Sequence, residues 1–220
     1  MPRPFVALIL GHGARCDRAG RPTHDPGAKA TALDTQLQPI TLIEEDRVRT
    51  LAPRLLARLA AEGIACGSYD AAIPSPDNDP LRSYTKRCAA AGREALRRGH
   101  HSALLLHLHF NSGGGRYVAA IHHPGEAKTP GWAAALEASI ATLPGVERRR
   151  GPSTVDDFPR ASGLIQASWL AGSAQLAVHT IVIEPLFIDQ PAHWRHLTDG
   201  GLDLLADAIT AGLVAGLGTP

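Results

Sequence analysis

The chain has 220 residues, of which 44% are hydrophobic and 20% are charged, and its formal net charge is +1. This composition is typical of a globular domain with a buried core, and the balanced charge gives no indication of a nucleic-acid-binding protein. The three cysteines, Cys16, Cys66 and Cys88, are too few for a disulfide framework and lack the spacing of a zinc finger.

The first half of the chain starts with the apolar run FVALIL at 5–10, which predicts a buried strand that ends at Gly11. Residues 11–39 are rich in Gly, Pro, Asp and Thr without clear periodicity, which predicts a long loop that is either functional or disordered. A helix is expected from Glu44 to about Gly63, with a kink or an interruption at Pro53. Its apolar stripe contains Glu44, Val48, Leu51, Leu55 and Leu59.

The second half alternates helices and strands. Helices are predicted at about 81–98, 131–143 and 202–217, and strands at 102–110, 116–123 and 179–188. The segment at 164–171 could be a helix or a short strand. The strands are continuously apolar, so we expect an α/β fold: one domain over 1–220 with a twisted, mostly parallel sheet and helices on both faces. No linker or internal repeat divides the chain.

No membrane partner is expected. The run at 5–10 is too short for a signal peptide or a membrane span, and no later stretch approaches about 20 apolar residues. The sequence therefore carries no visible export signal.

Polar residues follow the predicted strands. His12 follows the first, His107 and His109 close LLLHLHF, and Glu184 closes HTIVI, while Glu44 opens a helix. The carboxyl ends of parallel strands meet at one edge of a sheet, where open α/β folds bind ligands. Two or three imidazoles and one or two carboxylates suit a catalytic zinc site, which takes three protein ligands and leaves one position open.

Each of these residues also has a structural interpretation. His12 could be a turn residue, and Glu44 could stabilise a helix N-terminus, as the neighbouring Glu45 and Asp46 could. Glu184 is harder to explain in this way. A carboxylate that ends a buried strand needs a metal, a cation or a raised pKa.

The motifs GHG, DPGA (25–28), a helix-opening Glu, HFN (109–111) and IVIEPLFIDQP resemble the zinc-dependent N-acetylmuramoyl-L-alanine amidases of the amidase-3 type. That family shows Asp-x-Gly-His-Gly-Gly, Asp-x-Gly-Ala, Glu-Lys at a helix start, Ser-x-His-x-Asn at a strand end, and a late Val-Glu-x-x-Phe-x-x-Asn. The order agrees over nearly the whole chain. Each motif is weak alone, whereas the ordered set is fairly specific.

The resemblance implies that His12, Glu44 and His109 bind one Zn²⁺ and that Glu184 is the catalytic carboxylate. The implied reaction is hydrolysis of the amide between N-acetylmuramic acid and the L-alanine of the peptidoglycan stem peptide. Its partner would be peptidoglycan at the cell wall or in the periplasm, reached by phage-type release or with a leader since removed. A monomer without a separate wall-binding domain is expected.

Glu44 is favoured over Glu45 as the zinc ligand. Glu44 shares the inward stripe of Val48 and Leu51, and its distance to Gly63 agrees with the family pattern. Glu45 falls on the stripe of the opposite, solvent-facing side.

Other positions depart from the pattern or have open roles. The Asp that precedes Gly-His in the family is absent from LILGHG, and His107 stands where the family has Ser. His107 and His109 are two residues apart and share one face of the strand, with His109 singled out by the HFN triplet. His107, Asn111 and Arg87 are therefore candidates for substrate contact or for support of the ligands, although Arg87 could equally be an exposed helix cation.

Two other functions remain open at this point. One is a zinc hydrolase of a small N-acyl amino acid or peptide, since long loops at 13–39 and 144–163 could narrow the groove. The other is a non-catalytic wall-binding module, against which the retention of all four proposed site residues argues.

Overall fold

A computed structural model of the protein describes residues 3–16, 22–33, 38–70 and 84–218. The strands in these residues are β1 (Phe5–Leu10), β2 (Gly13–Cys16), β3 (Pro22–Asp25), β4 (Lys29–Leu33), β5 (Pro39–Ile43), β6 (Cys66–Tyr69), β7 (Ser102–Leu108), β8 (Tyr117–Ile121), β9 (Glu147–Arg148) and β10 (Ala177–Glu184). The α-helices are α1 (Glu44–Ala61), α2 (Tyr84–Arg97), α3 (Thr129–Ile140), α4 (Ser162–Trp169), α5 (Trp194–Leu197) and α6 (Asp199–Gly218).

The central sheet has six strands in the order β6-β1-β7-β10-β8-β9. All neighbours are parallel except β8, which runs antiparallel to β10. The pairing places Leu10 opposite Leu108, and Leu108 opposite Ile183. The carboxyl ends of β1, β7 and β10 therefore finish side by side.

Helices cover both faces of this sheet. The larger apolar cluster joins one face to α1, α3 and α6, and includes Leu104, Leu106, Leu108 and Phe110. On the other face, Ala103 and Leu105 pack with residues of α2, and Val182 packs with Ile165 of α4. The mostly parallel sheet between two helical layers confirms the predicted fold class.

The predicted long loop at 11–39 is wrong in part. β2 and β3 form one antiparallel hairpin, and β4 pairs with β5, which leads directly into α1. In the second pair only Ala32 and Leu42 are buried. The strands of these ribbons have only four or five residues each, and the Gly, Pro and Asp residues around them are typical of turns and loops.

Several helix predictions can be compared with the structure. α1 runs from Glu44 to Ala61 with Pro53 inside it, so the interruption expected at Pro53 is wrong. The ambiguous segment at 164–171 is helical in α4. The expectation that no stretch reaches the length of a membrane span is wrong for residues 200–218 of α6, which are long and apolar enough by length and composition. Most of this helix is buried in the protein, where it packs against α1 and α3.

Candidate active site

His12 and His109 face each other at the carboxyl edge of the sheet. His12 lies two residues beyond β1 and His109 lies one residue beyond β7, so the strand pairing brings them together. Their rings meet edge to face, with Nε2 of His12 3.2 Å from Nδ1 of His109. Among the described residues, His12 is the only non-glycine residue with positive φ, at 61°. Non-glycine residues rarely adopt this conformation outside positions that the surrounding structure enforces.

Glu44 brings a carboxylate to the two imidazoles. It is the first residue of α1 and is 3% exposed. Its Oε1 lies 2.7 Å from His12 Nε2 and 3.2 Å from His109 Nδ1, and it also accepts a hydrogen bond from the backbone N–H of Phe110. Burial alone would raise the pKa of Glu44, but the hydrogen bonds from His109 and His12 hold it well below its usual range. Glu44 is therefore anionic.

The adjacent Glu45 lies outside this cluster. Its carboxylate pairs with Arg49, which also pairs with Asp70 at 2.7 Å. Glu44 contacts both histidines, as the apolar stripe of α1 predicts. The prediction that Glu45 faces solvent is wrong, because Glu45 is only 8% exposed and pairs with Arg49.

The three donor atoms fit a zinc ion. His12 Nε2, His109 Nδ1 and Glu44 Oε1 form the one group in the described part of the chain that could hold a metal ion. Tetrahedral zinc with bonds of about 2.0–2.1 Å places its ligand atoms about 3.3 Å apart. Two of the observed separations, both 3.2 Å, are close to this value, and the third, 2.7 Å between His12 Nε2 and Glu44 Oε1, is a shorter hydrogen-bond distance. Two nitrogens and one carboxylate oxygen are also ligands that zinc prefers.

Two glycines leave the space that this packing requires. A Cβ on Gly11 would lie 2.6 Å from the carbonyl oxygen of Leu108 and 2.7 Å from His109 Cε1. A Cβ on Gly27, whose φ is 73°, would lie 2.6 Å from Glu44 Oε2 and 2.7 Å from His12 Cδ2. Any side chain at either position would displace a donor residue.

Asp25 orients His12, a role that the sequence interpretation missed. Its Oδ2 lies 3.0 Å from His12 Nδ1, while its Oδ1 accepts from the N–H of Gly27. A carboxylate on the outer nitrogen of a ligating histidine fixes the tautomer that leaves the other nitrogen free to bind metal. Burial lowers the pKa of His12, but the contacts with Glu44 and Asp25 raise it overall. Asp25 is the first residue of the DPGA motif, and this motif was the feature of the sequence that could have indicated its role.

Glu184 lies in the same groove at the end of β10. Its Oε2 accepts a hydrogen bond of 2.5 Å from the side-chain amide of Asn111. Burial and the nearby charge of Glu44 raise the pKa of Glu184 to about 7, although the Asn111 contact opposes this shift. A carboxyl group with this pKa can both accept and donate a proton near neutral pH.

His107 is fully buried and lies outside the donor group. Its Nε2 is 2.7 Å from Ser168 Oγ and 3.9 Å from Cys88 Sγ. Burial, together with the charges of His109 and Arg87, keeps its pKa well below the usual value, so the ring is neutral. Because His107 does not line the groove, direct contact with substrate is excluded in this conformation.

Arg87 is wholly buried, so the interpretation of it as an exposed helix cation is wrong. Its guanidinium donates to the carbonyl of Leu10 and, at 3.2 Å, to that of His12. These carbonyls flank Gly11, so Arg87 holds the backbone turn that presents His12. Its place in the α2 stripe with Cys88, Ala91 and Ala95 was a signal of this burial.

We expect Arg87→Ala to lower the free energy of unfolding by about 3 kcal/mol or more, because two charged hydrogen bonds are lost inside the protein. Urea denaturation of the purified variant measures this change. Arg93→Ala, at an exposed position on the same helix, is the matched control and should stay within about 0.5 kcal/mol of the wild type. A similar small effect of both substitutions would contradict the structural role given to Arg87.

The donor group opens into a groove of about 1120 Å³. Residues 157–161 and residues of α4 form part of its wall, and Tyr84, Asn111 and Glu184 also line it. A groove of this size exceeds the pockets of about 300–1,000 Å³ that usually enclose small molecules.

Comparisons with known proteins identify the fold. No family model and no curated protein sequence matches the chain. Solved structures do match the chain. The N-acetylmuramoyl-L-alanine amidase AmiC2 of Nostoc punctiforme matches at 16% sequence identity with a TM-score of 0.61, and the match covers 98% of each chain. The N-acetylmuramyl-L-alanine amidase Ami1 from Mycobacterium smegmatis matches at 20% sequence identity with a TM-score of 0.60, and the match covers 99% of this chain and 98% of that one. The catalytic domain of the CD27L endolysin targeting Clostridia difficile matches at 16% sequence identity with a TM-score of 0.58. This match covers 96% of this chain and 97% of that one.

These likenesses extend over almost the entire chain, although few residues are identical. They confirm, at the level of the fold, the resemblance drawn from the motifs. The protein has the fold of the N-acetylmuramoyl-L-alanine amidase catalytic domains.

Proposed function

We propose that the protein is a zinc-dependent N-acetylmuramoyl-L-alanine amidase that hydrolyses the amide between N-acetylmuramic acid and L-alanine in peptidoglycan. The observation that carries this proposal is the convergence of His12, Glu44 and His109 in one open groove with Glu184, within the fold of these amidases. Action at the cell wall follows from this substrate.

His12, Glu44 and His109 would hold the zinc ion, which when bound lowers the pKa of a coordinated water to about 7 and polarises a carbonyl. Asp25 keeps Nε2 of His12 directed at the donor group by occupying Nδ1. Glu184 accepts the proton of the attacking water and then donates a proton to the leaving amine of L-alanine. Asn111 holds one carboxylate oxygen of Glu184, which keeps the other available for this transfer.

The groove supports a polymeric substrate over a small N-acyl amino acid. Asp25 from the first of the two long segments and residues 157–161 from the second line the groove, whose volume is about 1120 Å³. A glycan strand with its stem peptide needs such an open groove, whereas a small substrate is usually enclosed. The raised pKa of Glu184 supports catalysis over simple wall binding, because functional acids and bases are commonly tuned in this way.

The experiment is digestion of purified wall sacculi. We expect loss of turbidity together with release of the free amino group of L-alanine, abolished by a chelator and restored by added zinc. A small N-acyl-L-alanine peptide is tested in parallel. Cleavage of the peptide alone would favour the small-substrate hydrolase, and cleavage of neither by zinc-loaded protein would contradict the proposal.

The contact between Asn111 and Glu184 predicts a change in the pH profile. In Asn111→Ala the carboxylate of Glu184 loses the amide donor that stabilises its charged form, so its pKa rises. Because the base must be deprotonated, the acidic limb of kcat/KM is expected to move to higher pH. A bound cation lowers the pKa in both proteins and leaves the direction of their difference unchanged. Profiles of the two zinc-loaded proteins test this, and a limb at the same or a lower pH would contradict the contact.

A further inference from the structure

We propose that Tyr84 is a positioning residue of the metal site, which orients His109 through its side chain and His12 through its backbone. The inference rests on the proposed zinc function. The hydroxyl of Tyr84 accepts a hydrogen bond from the backbone N–H of His12 at 2.9 Å and lies 3.4 Å from His109 Nε2. One side chain at the start of α2 thus contacts two of the three donor residues.

The contact with His109 concerns the choice of tautomer. His109 presents Nδ1 to the donor group, so its proton must reside on Nε2 when Nδ1 binds a metal. Tyr84 is the acceptor toward which that Nε2–H points, as Asp25 is the partner of His12 Nδ1. At 3.4 Å this hydrogen bond is long, and a neutral phenol is a weaker partner than a carboxylate. Tyr84 therefore has a smaller effect on the site than Asp25.

The contact with His12 concerns the backbone. His12 has a left-handed conformation that is unfavourable for a residue with a side chain. Its N–H is held by Tyr84 and its carbonyl by Arg87, so both sides of the residue are fixed from α2. This arrangement maintains the turn that aims the imidazole at Glu44.

The ring of Tyr84 is held independently of its hydroxyl. The guanidinium of Arg87 lies 4.6 Å from the ring centroid, and the rings of His107 and His109 lie at 5.8 and 6.1 Å. The buried ring of His107 thus packs against Tyr84. These contacts also mean that Tyr84→Phe removes the oxygen while the ring keeps its neighbours.

The test compares Tyr84→Phe with Tyr117→Phe. Tyr117 lines the same groove, but its ring packs on Phe187. Among the contacts of the described residues, none joins Tyr117 to His12, Glu44 or His109. Zinc dissociation constants are measured by competition with a chromophoric chelator. We expect the constant to rise about tenfold in Tyr84→Phe, the lower end of the range for outer partners of metal ligands, and to be unchanged in Tyr117→Phe.

A second readout is the Nε2 proton of His109, observed by NMR in the zinc-loaded proteins. In Tyr84→Phe this proton should resonate upfield and exchange faster with water. Unchanged affinity with an unchanged proton signal, or an equal loss in Tyr117→Phe, would overturn the inference alone. Failure of the wild type to bind zinc would overturn both proposals. If zinc binding is weakened in Tyr84→Phe but the wild type does not cleave sacculi, the positioning role of Tyr84 stands and the proposed amidase function is contradicted.

Discussion

Replacing Glu184 with Gln is expected to lower kcat for release of free N-terminal alanine by about 10²–10⁴-fold, the usual contribution of a general acid–base group. Gln has the shape of Glu and can accept the same hydrogen bond from Asn111, so the groove is preserved. It cannot take up the proton of the attacking water. Zinc content should therefore stay at the wild-type value, since Glu184 lies outside the donor group.

The control for this substitution is Glu147→Gln, which removes an exposed carboxylate on β9 outside the groove. Its kcat should equal that of the wild type. A Glu184→Gln enzyme with wild-type kcat would show that another group is the base. A variant that also loses zinc would show that Glu184 supports the metal site instead.

Glu44→Gln is expected to weaken zinc binding by more than about 100-fold, beyond the range typical of outer partners of ligands. The neutral amide oxygen is a poorer ligand, and the charge that balances the cation is lost. Activity on sacculi should disappear at the same zinc concentrations. Metal analysis after gel filtration and chelator competition measure both changes.

Glu45→Gln is the matched control, one residue along the same helix. Glu45 pairs with Arg49 and lies outside the donor group, so this variant should retain zinc and activity. Retention of zinc by Glu44→Gln together with its loss in Glu45→Gln would reverse the assignment of the third ligand.

Much of the fold was predictable because its strands are strongly patterned. The apolar runs of β1, β7 and β10 identified a buried parallel sheet, and their common direction brought His12, His109 and Glu184 to one edge. The inward stripe of α1 separated Glu44 from Glu45. These inferences depend on local periodicity, which a single sequence displays directly.

The remaining features depend on contacts between distant segments. Tyr84 meets His12 across 72 residues, and no local pattern relates the two positions. Asp25 reaches His12 because β2 and β3 pair antiparallel, and their sequences, GARC and PTHD, have no apolar pattern that would predict this pairing. The sequence placed His107 on the same strand face as His109. Its partner Ser168, however, lies in α4, a segment for which the sequence did not distinguish a helix from a strand.

The wall of the groove and the donor group belong to different parts of the chain. The donors are fixed to the sheet edge and to α1. Residues 157–161 lead through a short 3-10 helix into α4, and Asp157 contacts Arg149. Sequence change in this wall can alter which ligands fit without moving the histidines. The architecture thus separates the evolution of substrate range from that of chemistry, so relatives of this fold can diverge in the first while retaining the second.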